Sequence, residues 1–518
     1  MIRFICFLSL LFAACSRKDA SASKQVARIS IQSEPASLDP RKARDLDGGV
    51  LLRMLFEGLM RSSKELAIAD KVEISDDGLK YVFHLREARW SNGEPLQASD
   101  FIFAWSSILD PQFPTDIAYH LYPIKNARKA KLGEIPLCQV GICAIDSQTL
   151  LIELEQPTPY FLELLTMPPF FPVPKTVVMN NPNWAQEASS FVSNGPFQME
   201  RWDHADQLIF KKNPLYWDAA VVRLQGINLC IATSDTGLRM FEENKLDWMG
   251  SPLSTIPIDA IGSLKEFTSS PFSATGFCRV NVHVGDLSKV QFRRALALSL
   301  DRSSIVKHLL RGGQTAAMSL VPSDMGLCPD GYFSDNSLDE ALALLNQARR
   351  ETPFAPLVIS YKKDERNALI AQALQTQWQE RLGLTVDIES VESKVFFQRI
   401  SRKEFQIAIG SWTADFNDPI NFLEVFKFKD NGTNNTGWEN SEYIDLLNRS
   451  ELCRDLQERK EILRKAEKIL MEEMPIVPIY QFALNYIKNG ALTGVSLSPQ
   501  GHLDLRTASF ERKEPCSD

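Results

Sequence analysis

Residues 405–419 read FQIAIGSWTADFNDP. Phe405, Ile407 and Ile409 alternate with Gln406 and Ala408, a period of two that predicts a half-buried strand. Immediately beyond come Gly410, Ser411, Trp412, Thr413, Ala414, Asp415 and Phe416, then a turn closed by Asn417, Asp418 and Pro419. A carboxylate flanked by aromatic rings at a strand end suits a cationic head group. The same residues are also compatible with an Asx turn beside an incidental tryptophan.

The upstream pattern bears on that choice. Leu357–Tyr361 reads as a strand. A helix then carries Ile370, Leu374, Trp378 and Leu382 at four-residue intervals and ends at Gly383. A strand over Leu384–Ile388, a helix over Ser393–Arg402 and the strand Phe405–Ile409 follow. This βαβαβ order implies parallel strands joined by right-handed crossovers. Ligands of such sheets sit beyond the carboxyl ends of the strands, which is where Trp412 and Asp415 fall.

Further out the reading is coarser. Val26–Ile31 alternates as a first strand, and Val50–Met60 repeats at helical spacing. Tyr81, Phe83 and Leu85 form one face of a strand. Ser99 is the expected cap of a helix with Phe101, Ile102, Trp105 and Ile108 as its stripe. Val140–Leu154 reads as a strand, and MPPFFPVP (167–174) as an irregular loop. Leu287–Leu310 reads as one long helix stopped by Gly312 and Gly313, and Ser337 with Glu340 has capping-box spacing.

The chain has 518 residues, room for about three domains. Its net charge of −8 argues against a nucleic-acid surface. At the start, Arg3 precedes the apolar run Phe4–Ala14, too short to span a bilayer but suited to a signal-peptide core. Ala13 and Ala14 before Cys15 resemble a bacterial lipoprotein signal. Cleavage there makes Cys15 the lipid-carrying first residue, with 16–25 as a polar tether; unmodified secretion is the alternative. Nine cysteines form no dense framework. Cys138 and Cys143 are spaced for a disulfide, or are free thiols.

Phosphate-loop, dinucleotide-loop, zinc-protease and serine-elbow motifs are absent, and the six histidines lack metal-ligand spacing. Asp415 and Asp418 lie in one turn with no second catalytic segment. Neither an enzyme, a cofactor nor a metal is expected.

Ten stretches, in order, carry a resemblance: EPASLDP (34–40), LFEGLM (55–60), DDGLKYVFHLRE (76–87), RWSNGEPLQASDFIFAW (89–105), QPTPYFLELL (156–165), SNGPF (193–197), KNPLYWD (212–218), KLDWMG (245–250), FRRALALSLDR (292–302) and GSWTADFNDP (410–419). Together they resemble solute-binding protein family 5, the oligopeptide, dipeptide and nickel receptors of bacterial ABC importers, over nearly the whole mature chain. The resemblance implies an α/β, two-lobed periplasmic binding protein of type II, with mixed and parallel sheets joined by a hinge. Lobe I would comprise 26–55, 193–278 and 486–518; an inserted domain 56–192; and lobe II 279–485. It implies a monomer in the cell envelope that captures short peptides and hands them to the transmembrane subunits of an ABC permease, with membrane lipid held through Cys15.

In the peptide-binding members the aspartate of the W-x-A-D motif pairs with the ligand's α-ammonium; here that is Asp415, beside Ser411, Trp412 and Thr413. Two departures stand out. After LDP comes Arg41-Lys42-Ala43-Arg44 where members often carry an acid, so Arg41 or Arg44 either favours acidic ligands or faces solvent. An arginine that some members place shortly before the tryptophan is replaced by Ile409. A non-peptide ligand (a nickel chelate, haem or cell-wall fragment), or an adhesin or chaperone on the same shell, are the rival readings.

Overall fold

The structure, a computed structural model, describes residues 25–349 and 353–511. The leader, Cys15 and nearly all of the tether lie outside the described residues. Eleven strands form one large mixed sheet. In chain order they are β1 (Val26–Ile31), β2 (Phe197–Asp203), β3 (Gln207–Lys212), β4 (Gly226–Ile231), β5 (Trp248–Gly250) and β6 (Phe267–Val280). They continue with β7 (Thr315–Ala316), β8 (Leu357–Lys362), β9 (Val386–Val391), β10 (Ile407–Thr413) and β11 (Ile476–Lys488). Across the sheet the order is β9-β8-β10-β6-β11-β5-β1-β4-β3-β2, with β7 paired to β11.

The predicted parallel unit is present. Leu357 lies opposite Val386 and Ile359 opposite Ile407, both in parallel register. One face of these strands buries Leu357, Ile359, Val386, Ile407 and Ile409 against helix Glu365–Leu382, whose Ile370, Leu374 and Trp378 are fully buried. That helix starts where Asp364 accepts the Asn367 amide at 2.8 Å, and it stops where Gly383 turns to φ +66°.

Two strands are far longer than the rest, β6 at 14 residues and β11 at 13. The end of β11 pairs with β5 (Trp248 opposite Lys488), while the end of β6 pairs with β10. Between these regions the β6–β11 register breaks from Pro271 to Thr275. Proline has no amide hydrogen to give the ladder, so a break there is expected. The large sheet is therefore two sheets threaded by one antiparallel pair with a weak point between them.

A separate four-stranded antiparallel sheet runs Ala69–Ile74, Lys80–Leu85, Thr149–Glu153, Ile142–Ala144. Helix Ala98–Leu109 buries Phe101, Trp105 and Ile108, with the Trp105 ring edge-on to Phe170. Among the described residues no helix is long and apolar enough to cross a membrane.

Several local expectations are corrected. The helix expected from Ser99 begins one residue earlier, because the Asp100 carboxylate reaches back to the Gln97 amide (2.9 Å) and also takes the Trp90 indole (3.2 Å). The expected long helix 287–310 breaks after Leu298. Ser299 bonds back to the Leu296 carbonyl, and Asp301 caps a new turn through the Ser304 amide. Ser337 does not form a capping box; its hydroxyl donates to the Ser334 carbonyl. Val140–Leu154 is a hairpin of two strands rather than one. Cys138 and Cys143 are both free and exposed.

Candidate functional site

The site is built where β10 outruns its neighbour. On one side β10 pairs with β6 along its whole length, from Ile407–Val280 to Thr413–Ala274. On the other it meets β8 only at Ile407 and Ala408. From Ile409 to Thr413 the backbone on that side has no strand partner. An unpaired edge of this length is a template for an added extended chain. Ser411 and Thr413 are exposed along it, and Trp412 is half-buried on the opposite face.

Beyond Thr413 the chain turns through Asp415. Asn421 fixes the turn: its side-chain oxygen accepts the Trp412 indole at 3.0 Å and the Asp415 amide at 3.2 Å. Phe416 stacks on Tyr160, centroids 5.2 Å apart and planes 8° apart. Asp418 is buried and takes both arms of the Arg459 guanidinium, at 2.7 and 2.9 Å, while also accepting the Ile420 amide at 3.0 Å. Asp418 is thus a structural anchor, as its place before Pro419 suggested, and it does more than close a turn.

Asp415 differs in every respect. Its side chain is open to water, yet protein atoms crowd it, and that desolvation raises its pKa, with only Asn421 acting against it. No ion pair among the described residues includes it. Across from it stands Tyr119, exposed, its ring tilted against that of His120 with centroids 4.0 Å apart; the pKa of the Tyr119 hydroxyl is raised first by burial, then by Asp415 and Asp116. A charged carboxylate in a walled space with no cation of its own is an electrostatic vacancy for one.

The basic run after LDP divides. Arg41 is buried, bonded to Asp39 at 3.0 and 2.7 Å and lying over Phe103 and Phe113, so it cannot meet a ligand. Arg44 is exposed and paired with Asp116, the acid that neighbours Tyr119. The structure therefore brings Ser411, Trp412, Thr413 and Asp415 together on one strand end, with Arg44 linked to them only through Asp116. Sequence reasoning missed Asn421 and Tyr119; neither carries a motif, Asn421 matters through the folding of its own turn, and Tyr119 through a residue nearly three hundred positions away.

A sheet threaded between two bodies by a single strand pair, with an unpaired strand edge and an uncompensated charge at its end, defines a two-lobed ligand-enclosing receptor. Comparison with known proteins agrees. The family model "Bacterial extracellular solute-binding proteins, family 5 Middle" matches residues 65–434, and the chain belongs to that family. It is 37% identical over 540 residues to the oligopeptide-binding protein OppA of Bacillus subtilis strain 168, covering 99% of each chain. It is 30% identical over 508 residues to the dipeptide-binding protein DppE of the same organism, covering 95% of this chain and 93% of that one. A crystal structure of the periplasmic oligopeptide-binding protein OppAIV of Borrelia burgdorferi superposes with a TM-score of 0.79 at 27% identity, covering 94% and 100%.

Proposed function

We propose that this protein is the peptide-capturing receptor of an ABC importer, delivering short peptides to the permease. Its division into lobe I (26–55, 193–278 and 486–518), an inserted domain (56–192) and lobe II (279–485) belongs to the same proposal. So does anchorage of a periplasmic monomer to a membrane through lipid on Cys15. The observation that carries the reading is Asp415, unpaired at the end of the free edge of β10. An extended peptide adds to Ile409–Thr413 through main-chain bonds, which give affinity without demanding a sequence. Its α-ammonium meets Asp415, which selects a free amino terminus. Trp412 lies on the strand's other face and braces the edge, Ser411 and Thr413 supply it, and Arg44 lies near the mouth.

Two measurements test this. Mass spectrometry of ligand released from the purified protein is expected to find short peptides with free amino termini. Titration of the emptied protein with a tripeptide and its N-acetylated form is expected to show binding only of the first. Equal affinity for the two would remove Asp415 from the role. For the anchor, Cys15→Ala is expected to move the protein from the membrane to the soluble fraction.

A further inference from the structure

Arg279 lies on β6, opposite Ala408 of β10, and its side chain runs along the sheet toward the free edge. Its guanidinium sits over Gly410 so closely that a Cβ built there would fall 1.5 Å from Nη1. Gly410 is thus the residue that lets the fork pass. The fork has few partners: Nη2 donates to the Ser411 carbonyl at a long 3.4 Å, and the Phe277 ring lies 5.1 Å away. Arg279 appears in no ion pair among the described residues; Glu389, which lies in register with it three strands away across the sheet, is paired with Arg399 at 2.7 Å. Two other crowded arginines are met more fully, Arg459 by Asp418 and Arg293 by four backbone carbonyls, whereas Arg53 has only the Thr166 carbonyl. Crowding lowers the Arg279 pKa to about 10, yet it stays protonated at neutral pH. Arg279 is half-exposed where Asp415 is exposed, but like Asp415 it is crowded and has no opposite charge.

We propose that Arg279 is a specificity-determining residue of the cleft, taking a carboxylate of the bound ligand. This rests on the reading of an extended peptide along β10. The two uncompensated charges lie at the two ends of the unpaired edge, Asp415 beyond Thr413 and Arg279 over Gly410. At ~3.3 Å per residue the span from 410 to 415 matches a peptide of about five residues. The carboxylate is then either the terminus of a peptide of that length or an acidic side chain near its fourth or fifth position. A planar fork suits either one, because it donates two parallel bonds. Ile409 leaves the strand itself without a cation, and Arg279 supplies one from the next strand.

The test is calorimetric titration of the emptied full-length protein with pentapeptides. One set carries a free or amidated C-terminus, and a second set, amidated throughout, carries Glu or Gln at position four or five. Wild type is expected to prefer the acid of at least one pair by about tenfold or more. In Arg279→Gln that preference is expected to vanish while the neutral peptides keep their affinity. Whichever pair shows the preference identifies the source of the carboxylate. Gly410→Ala, which forces the guanidinium aside while keeping it in the protein, is expected to lose the preference too, so that poor folding of one variant cannot decide the result. Wild type binding acid and neutral peptides equally, or Arg279→Gln weakening both equally, overturns the proposal and leaves the peptide reading standing. Wild type binding none of the peptides overturns the peptide reading, and this one with it.

Discussion

At the residue scale the site turns on the contrast between two aspartates three positions apart. Asp418 has its cation built in, and Asp415 has none. Supplying an ammonium to Asp415 is worth about 1.5–3 kcal/mol, so Asp415→Asn is expected to weaken peptide binding by roughly tenfold to a hundredfold. Affinity in the wild type is expected to fall as pH drops through the raised pKa of Asp415, because the protonated carboxyl no longer attracts an ammonium. The variant should lose that dependence; a wild-type affinity flat from pH 7 to 4 would refute the pairing. The emptied protein should respond in the opposite sense. A carboxyl whose pKa is raised on folding holds its proton more tightly in the folded state, so it destabilises that state once pH exceeds its unfolded value. Asp415→Asn is therefore expected to raise the melting temperature of the emptied protein at pH 7 and to leave it unchanged at pH 3. Asp415 and Trp412 were legible because they sit in a motif at a strand end. Arg279 was not, since its nearness to Gly410 depends on the pairing of β6 with β10, strands more than a hundred residues apart.

At the element scale, helix Leu456–Glu473 holds the site loop and one wall of the fold. Arg459 near its start binds Asp418, and Glu467 in its last turns is fully buried, accepting the Leu320 and Val321 amides (2.9 and 2.7 Å) and the Tyr332 hydroxyl (2.9 Å). Arg459→Leu leaves Asp418 buried without its partner, which costs about 3–5 kcal/mol. Urea unfolding should show that loss, with peptide affinity falling as well because the 414–420 turn loses its brace. Burial pushes the Glu467 carboxyl up to about 7. The sign is that of a raised acid: its contribution is most favourable below about pH 4.3 and declines as pH rises toward 7. Glu467→Gln should remove that decline and stabilise the protein at pH 8 by up to ~3 kcal/mol. A urea midpoint for the variant that still falls between pH 5 and 8 as steeply as in wild type would contradict the assignment. The parallel unit could be read from apolar alternation and a helix of clear period, but the second and third strands, expected at 384–388 and 405–409, lie at 386–391 and 407–413, so Ser411, Trp412 and Thr413 belong to the strand itself rather than to the turn beyond it. The break at Ser299–Asp301 could not, because leucines and alanines kept the helical pattern running while hydroxyl and carboxylate side chains competed locally for the backbone.

At the scale of the whole molecule, the proposed closure concentrates on few groups. The two bodies of the large sheet share β6 and β11, whose pairing is interrupted at Pro271–Thr275. Ser273 in that interval is tied to Asp324 at 2.5 Å and to Gln500 at 3.0 Å, one partner from the middle of the chain and one from its end. The contacts that join residues 156–160 to the 416–459 region are separable ones: the Tyr160–Phe416 stack, Arg459 over the Tyr160 ring at 5.6 Å, and Gln156 donating to Glu451 at 2.9 Å. Opening at the break in β6 and β11 would part these contacts and expose the edge of β10; peptide binding would rejoin them. Small-angle scattering of the emptied protein is then expected to show a larger radius of gyration than the peptide-bound form. Tyr160→Ala, which removes the stack without touching β10 or Asp415, should enlarge the emptied form no further but weaken affinity, mainly through faster release. Trp412 supplies an independent readout, since it is half-buried beside the edge while Trp90, Trp105, Trp184, Trp248 and Trp378 are fully buried. Its fluorescence should change on binding, and Trp412→Phe should lose most of that change while calorimetry still detects the peptide. A radius of gyration indifferent to peptide, together with a Trp412 signal that does change, would mean that ligand enters a cleft already closed, and the hinge at Pro271–Thr275 would have no part in capture.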